Sequence, residues 1–253
     1  MKSEILSDKE IRIMTRQIQL PEVGLAGQEK IKKARVLVIG AGGKGTSVLQ
    51  SLAAAGVGTL GITDNMLVDE IILPRQSLYG EKDLGKQRAI ISARRLSESG
   101  CSSVLTLHNI CLMETNILKI IAPYDLLVDA TDNFPAHYMI SDAAIISGKP
   151  YVYGSVNHNA GFVSAFNLPG GPSFRCLYPQ WPRNKTPLKD EGIPALNLLY
   201  RITGTLMAGE SLKIIQGLPS SLNGKLLCFH LDTYTSTFET ITRNEENFRI
   251  KGF

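Results

Sequence analysis

The sequence predicts an α/β fold: a mainly parallel sheet with helices on both faces, N-terminal helices before it and an antiparallel C-terminal extension after it. Three observations predict this. The apolar run Val36-Leu37-Val38-Ile39 ends abruptly in the glycine loop Gly40-Ala41-Gly42-Gly43-Lys44-Gly45, as a strand buried on both faces does when it turns into a helix. Strand-length apolar runs then alternate with helical stretches as far as residue 156 or so, the pattern of a parallel sheet with crossover helices. Beyond Asn157 the alternation stops.

Taken in order, Ser7 with Glu10 three residues later has the spacing of a capping box, so a helix starts there. Pro21 and Gly24 break it and Gln28 to Ala34 resumes it, giving two helices by Lys33. The first strand and the glycine loop follow, then a helix over Thr46 to Ala55 and a second strand, Leu60 to Asp64. That strand ends in an acid about 20 residues past the loop, the arrangement of a Rossmann-like βαβ unit. Helices over Gln87–Ser97, Leu112–Ile121 and Ala136–Ser147 alternate with strands over Val104–Leu107, Asp125–Asp129 and Tyr151–Val156. Gly161 to Asn167 reads as an antiparallel strand, and Pro169 to Pro194, rich in Pro, Gly and charge, as a long mobile loop. Leu196 to Gln216 is a long apolar helix, and Lys225–Asp232 with Ser236–Thr242 forms a closing hairpin. The expected organisation is a single domain over 1–253: helices to residue 34, a nucleotide-binding core over 35–156 and an extension over 157–253.

Bulk properties narrow the function. A chain of 253 residues, 43% hydrophobic and 20% charged, buries a sizeable core. The formal charge of +4 is scattered, without the basic block that nucleic acid would need. Cys101, Cys111, Cys176 and Cys228 form no CxxC, which points to free thiols in a reducing compartment. No run approaches the roughly 18 apolar residues of a membrane span, and the first residues do not read as a signal peptide, so the expected location is the cytoplasm.

The glycine loop is the first candidate site. Its glycines, Gly40, Gly42, Gly43 and Gly45, let a phosphate approach main-chain N–H groups where a helix dipole is positive. Lys44 inside it either binds phosphate or points to solvent. Asp64 either accepts ribose hydroxyls or caps a turn. In Asp129-Ala130-Thr131-Asp132-Asn133, Asp132 either holds Mg²⁺ beside substrate phosphates or, like Asn133, caps the next helix. Trp181 either covers a partner's tail or anchors its loop, and His158 and Asn159 either line the pocket or form a turn. The Met207, Leu212 and Ile215 face of the long helix serves core packing or a dimer interface.

The glycine loop Gly40-Ala41-Gly42-Gly43-Lys44-Gly45 and Asp129-Ala130-Thr131-Asp132-Asn133, with Arg12-Ile13-Met14-Thr15-Arg16-Gln17, Gly27-Gln28, Ala55-Gly56-Val57-Gly58, Arg75-Gln76 and Arg175-Cys176-Leu177-Tyr178-Pro179, resemble the ThiF/MoeB/HesA adenylyltransferases, relatives of the ubiquitin-activating enzymes. The resemblance runs from Arg12 to Thr242 with the motifs in family order. It implies ATP-dependent adenylylation of the C-terminal glycine carboxylate of a small ubiquitin-like sulfur-carrier protein with a Gly-Gly tail, performed by a homodimer. By position it implies Asp64 on the ribose, Arg75 and Gln76 facing the phosphates, Asp132 on Mg²⁺, and Arg16 reaching the other subunit's ATP.

The departures are specific. The family's second acid after Asp64 is Met66, its Asn before the phosphate-facing Arg is Ile72, its catalytic Lys falls at Arg88, and a following Arg aligns with His137. Lys86 and Lys44 are the nearby candidates to replace the lysine. The zinc-binding CxxC is reduced to Ser173-Phe174-Arg175-Cys176, and no cysteine follows Thr242, so no zinc is expected. The crossing loop Pro187 to Gly192 has no thiol either. Two other readings stand beside the enzyme: a catalytically impaired scaffold that keeps fold and dimerisation, and an NAD-dependent oxidoreductase, which shares the glycine loop and Asp64.

Overall fold

The computed structural model describes residues 3–180, 195–250 and 252. Three short helices open the chain: α1 (Asp8–Ile13), α2 (Thr15–Ile18) and α3 (Gly24–Lys33). Ser7 caps α1 in a reciprocal box with Glu10. The break falls first at Met14, between α1 and α2, and α3 begins at Gly24, four residues before the expected restart.

The core follows as β1 (Arg35–Ile39), α4 (Gly43–Ala54), β2 (Thr59–Thr63), α5 (Arg88–Glu98), β3 (Val104–His108), α6 (Ile117–Ile121), β4 (Leu126–Asp129), α7 (Phe134–Ser147) and β5 (Tyr151–Asn157). The expected helix over Leu112–Ile121 is shorter because the Asn116 side chain bonds the Met113 N–H and the Cys111 carbonyl, holding a turn there instead. The extension comprises β6 (Ala160–Phe166), α8 (Phe174–Leu177), α9 (Asn197–Gln216), β7 (Lys225–His230) and β8 (Thr235–Thr240). The single loop expected over 169–194 is corrected in its first part: α8 lies there with Phe174 fully buried. Trp181 and the crossing loop lie outside the described residues.

One eight-stranded sheet runs in the order β3-β2-β1-β4-β5-β6-β7-β8. The first five strands are parallel and the last three antiparallel. The order reverses between β1 and β4, the switch point at which open α/β sheets bind ligands. Strand residues alternate between the faces. Val36 and Val38 join the core under α4, α5 and α9, whereas Leu37 and Ile39 join the core under α6 and α7. Met207 is fully buried in the first core, with Leu212 and Ile215 packed against it, so this face of α9 serves the interior. Among the described residues no helix is long and apolar enough to cross a membrane.

Two glycines in helices separate constraint from convenience. A Cβ at Gly45 would lie 1.8 Å from the Gly40 carbonyl oxygen, whereas one at Gly209, on the exposed side of α9, meets nothing within 4 Å. Gly45→Ala is expected to destabilise the protein by about 3 kcal/mol through overpacking. Gly209→Ala is expected to stabilise it by up to about 1 kcal/mol through helix propensity. Chemical denaturation of both variants checks the contrast.

Candidate nucleotide site at the sheet switch point

The site begins with register. Ile39 of β1 pairs with Thr63 of β2 on one side and Asp129 of β4 on the other. All three strands therefore end at one height, and Gly40, Asp64 and Ala130 leave the sheet side by side. Gly40 donates to the Thr63 carbonyl and Ala130 to the Ile39 carbonyl, both at 2.8 Å. Gly40 has φ +92°, which favours glycine, and a Cβ there would stand 3.0 Å from the Ala130 carbonyl. α4 starts at once, and no side chain caps its N-terminus. At Gly42 the nearest atom to an added Cβ is Ile72 Cδ1 at 3.8 Å, so a phosphate has a clear approach to the amides.

Asp64 binds the loop directly. Its Oδ2 accepts from the Ala41 N–H and its Oδ1 from the Met66 N–H, each at 2.7 Å. It is thus a turn cap, and each carboxylate oxygen keeps acceptor capacity for a ribose hydroxyl. Burial pushes its pKa up; the two N–H groups and Arg88 oppose that, and Asp132 adds to it.

Lys44 does not point to solvent. Its side chain is fully buried, and its ammonium donates to the Thr131 carbonyl at 2.9 Å and pairs with the Asp132 carboxylate. Asn133, not Asp132, caps α7 by accepting from the Ala136 N–H. Beneath them Asp129 is fully buried, accepting from the Thr131 amide and hydroxyl, from Tyr151 at 2.6 Å and from His137 Nδ1 at 2.7 Å.

Arg75 ends a 3₁₀ turn over Leu73–Arg75. Its guanidinium lies 5.1 Å from the Tyr200 ring centre, and its carbonyl abuts Gly43. Gln76 corrects an expectation: its amide does not face the phosphates. It donates to the Leu73 and Tyr79 carbonyls and accepts from the Leu78 and Tyr79 N–H groups, which occupies all four of its bonding positions. Arg88 stays at the site but is engaged with the Leu67 carbonyl and Asp69. Lys86 is also corrected: it is half exposed and turns to the Lys82 carbonyl and Asp83, away from the loop.

Arg16 is exposed on α2. Its neighbour Gln17, with Gln28, bonds the Ala55 carbonyl at the far end of α4. The 12 residues of α4 span about 18 Å, so Arg16 lies at the opposite end of the sheet from its own glycine loop.

The sequence profile of the ThiF family matches residues 14–249. The chain belongs to the ThiF family. It is 39% identical over 232 residues to a protein of Thermus thermophilus named sulfur carrier protein adenylyltransferase, covering 90% of this chain and 85% of that one. MoeZ of Mycobacterium tuberculosis, named a probable adenylyltransferase/sulfurtransferase, is 38% identical over 242 residues, covering 94% of this chain and 61% of its own length. The crystal structure of E. coli MccB superposes with a TM-score of 0.81 at 18% identity, over 96% of this chain and 73% of that one, and shows the shared fold.

Within this ThiF-family chain the departures have definite places. Met66 projects to solvent, 53% exposed. Ile72 packs in a small core with Val68, Leu78, Tyr79 and Ile91. His137 is buried among Phe134, Tyr153 and Phe174 and is the partner of Asp129, a packing role and not a surface charge. His158 has φ +52° and bonds Asn157 in the β5–β6 turn. Tyr79 carried no motif signal, yet its hydroxyl donates to the Ala41 carbonyl at 2.6 Å and so braces the glycine loop from α5's side.

The zinc position has its own chemistry. Ser173 and Cys176 on one segment face Asn244 and Asn247 on the other, with the spacing of two CxxC pairs. Cys176 Sγ accepts from the Asn244 N–H at 3.3 Å, the Asn247 side-chain amide at 3.4 Å and the Ser173 N–H at 3.4 Å. Burial pushes the thiol pKa up, but the Ser173, Asn247 and Asn244 donors outweigh it and draw it down. These residues do not fit zinc: one sulfur with amide donors aimed at it is the wrong polarity and one-quarter of a thiolate set.

Two outcomes follow. Asp129 is penalised by burial, but His137, Thr131 and Tyr151 outweigh the penalty and hold its pKa below the usual range. Its stabilisation is therefore complete above the unfolded value of about 3.9 and lost as pH falls through the folded value. Asp129→Asn is expected to cost about 3 kcal/mol at pH 7, with the gap to wild type closing below about pH 4; urea titrations at both pH values measure it. Cys176→Ala is expected to speed hydrogen exchange across residues 243–250 without changing metal content, read by mass spectrometry and elemental analysis.

Proposed function

We propose that this chain adenylylates the C-terminal glycine carboxylate of a small ubiquitin-like sulfur-carrier protein. The observation that carries the reading is the convergence of the uncapped α4 N-terminus, Asp64, Arg75 and Asp132 at the level ends of β1, β2 and β4, in a chain 39% identical to a protein named for that activity. ATP would lie across the switch point with its phosphates on the glycine-loop amides and its ribose on Asp64. A carboxylate oxygen of the carrier attacks the α-phosphorus, the bond to the bridging oxygen breaks, and pyrophosphate leaves with that electron pair. The product is an acyl-adenylate.

The protein's part is positioning and charge. Arg75, steadied on Tyr200, meets the phosphates beside Gly43. Asp132 is the carboxylate that would hold Mg²⁺, a fit that requires one or two carboxylates plus phosphate oxygens; the ion supplies neutralisation of the triphosphate. Arg16, remote from its own loop, serves the site of the second subunit in a homodimer. The carrier's Gly-Gly tail runs along the extension over 157–253. The reaction belongs in the cytoplasm, where ATP is abundant and the four free thiols stay reduced.

The scaffold reading draws on Gln76 and Arg88, both engaged with local backbone. ATP–pyrophosphate exchange with a Gly-Gly carrier separates the two: no exchange at saturating ATP, with no calorimetric nucleotide binding, leaves only the scaffold. In an active protein Arg16→Ala is expected to lower exchange by about 10²–10³. Mixing it with Asp132→Asn is expected to restore about a quarter of wild-type activity, from one working site in each mixed dimer.

A further inference from the structure

Lys44 is the second residue of α4, yet its side chain is wholly buried and crosses the switch point to β4's exit. A buried ammonium without a counter-charge costs several kcal/mol. Here the Thr131 carbonyl and the Asp132 carboxylate meet it. The Thr131 end is itself fixed, because Thr131 bonds Asp129 through both its amide and its hydroxyl, and Asp129 is held by His137 and Tyr151. The Asp132 charge pushes the Asp64 pKa up, and Arg88 opposes it. The other cation the sequence offers for this place, Lys86, is turned away. Lys44 is therefore the ammonium seated on the carboxylate that the adenylylation reading assigns to Mg²⁺.

An ammonium and a divalent ion both draw on the same negative charge. Two cations on one carboxylate repel by several kcal/mol at contact distances, unless further anionic oxygens arrive. Phosphate oxygens supply them: they give the metal its remaining ligands and screen it from the ammonium. We propose that Lys44 is a resident cation that keeps Asp132 closed to divalent metal until a nucleoside triphosphate enters, so that metal is admitted with the phosphates and not before them. The inference rests on the adenylylation reading for the nucleotide and for Asp132 as the carboxylate of the metal; the pairing of Lys44 with Asp132 stands on geometry alone.

The test uses Mn²⁺ alone, titrated into the protein and followed by electron paramagnetic resonance, with no nucleotide present. Lys44→Met is expected to bind Mn²⁺ at least about tenfold more tightly than wild type, as removal of an adjacent unit charge predicts. Adding Asp132→Asn to that variant is expected to abolish the gain. Equal affinities in wild type and Lys44→Met, or a gain that survives Asp132→Asn, would overturn the proposal. Lys44→Gln, one atom shorter but still a hydrogen-bond donor, substitutes if the Met variant does not fold. Wild type alone gives an independent arm: Mn²⁺ is expected to bind stoichiometrically with a non-hydrolysable ATP analogue and at least about tenfold more weakly without it, and tight binding of the metal alone refutes the idea. Absence of pyrophosphate exchange in wild type would sink the adenylylation reading while leaving the metal-alone result readable.

Discussion

The structure depends on three parallel strands ending level. Because Ile39 is in register with both Thr63 and Asp129, the segments leaving β1, β2 and β4 share one rim, and their main-chain groups bind each other before any ligand arrives. The tolerance is narrow: the Gly40 carbonyl fills the space where any side chain at position 45 would begin. A slip of one residue in β4 would carry Asp129 out from beneath the sheet end and invert its alternating faces. Lys44 and Asp132, which belong to different crossover units, would then not meet.

Much of this architecture was readable from periodicity. β1, β2 and β4 stand out as apolar runs that end in glycine or acid, and the antiparallel extension announces itself where alternation fails. What was not readable came from side chains making long-range bonds. Gln76 sits beside Arg75 in a motif expected to face phosphate, but a buried amide must satisfy all its donors and acceptors, and the nearest groups are backbone. Lys86 is two residues from Arg88, yet the 3₁₀ turn over Glu81–Asp83 offers it a carbonyl and a carboxylate at closer range. Lys44 looked undecided because nothing in the sequence shows that β4's exit lies within reach of α4's first turn. The partnership of Asp129 with His137 was hidden in the same way, since eight residues of sequence become one hydrogen bond only after β4 and α7 pack.

The charged groups of the site are paired with one another. Lys44 answers Asp132, Asp69 answers Arg88, Tyr200 carries Arg75, and loop amides answer Asp64. Internal pairing of this kind keeps buried charge from destabilising the fold. It also means that ligand binding exchanges partners instead of neutralising bare charges, which favours discrimination among phosphates over raw affinity.

The Cys176 cluster gives the C-terminal segment an unusual dependence. A tail tied down by a metal comes loose when a chelator strips the ion; this one is tied by N–H groups converging on a single sulfur. Oxygen added to that sulfur alters the acceptor shared by the Asn244 and Asn247 ties, so this edge of the molecule answers to peroxide while the Arg243 bond to the Gly171 carbonyl stays in place.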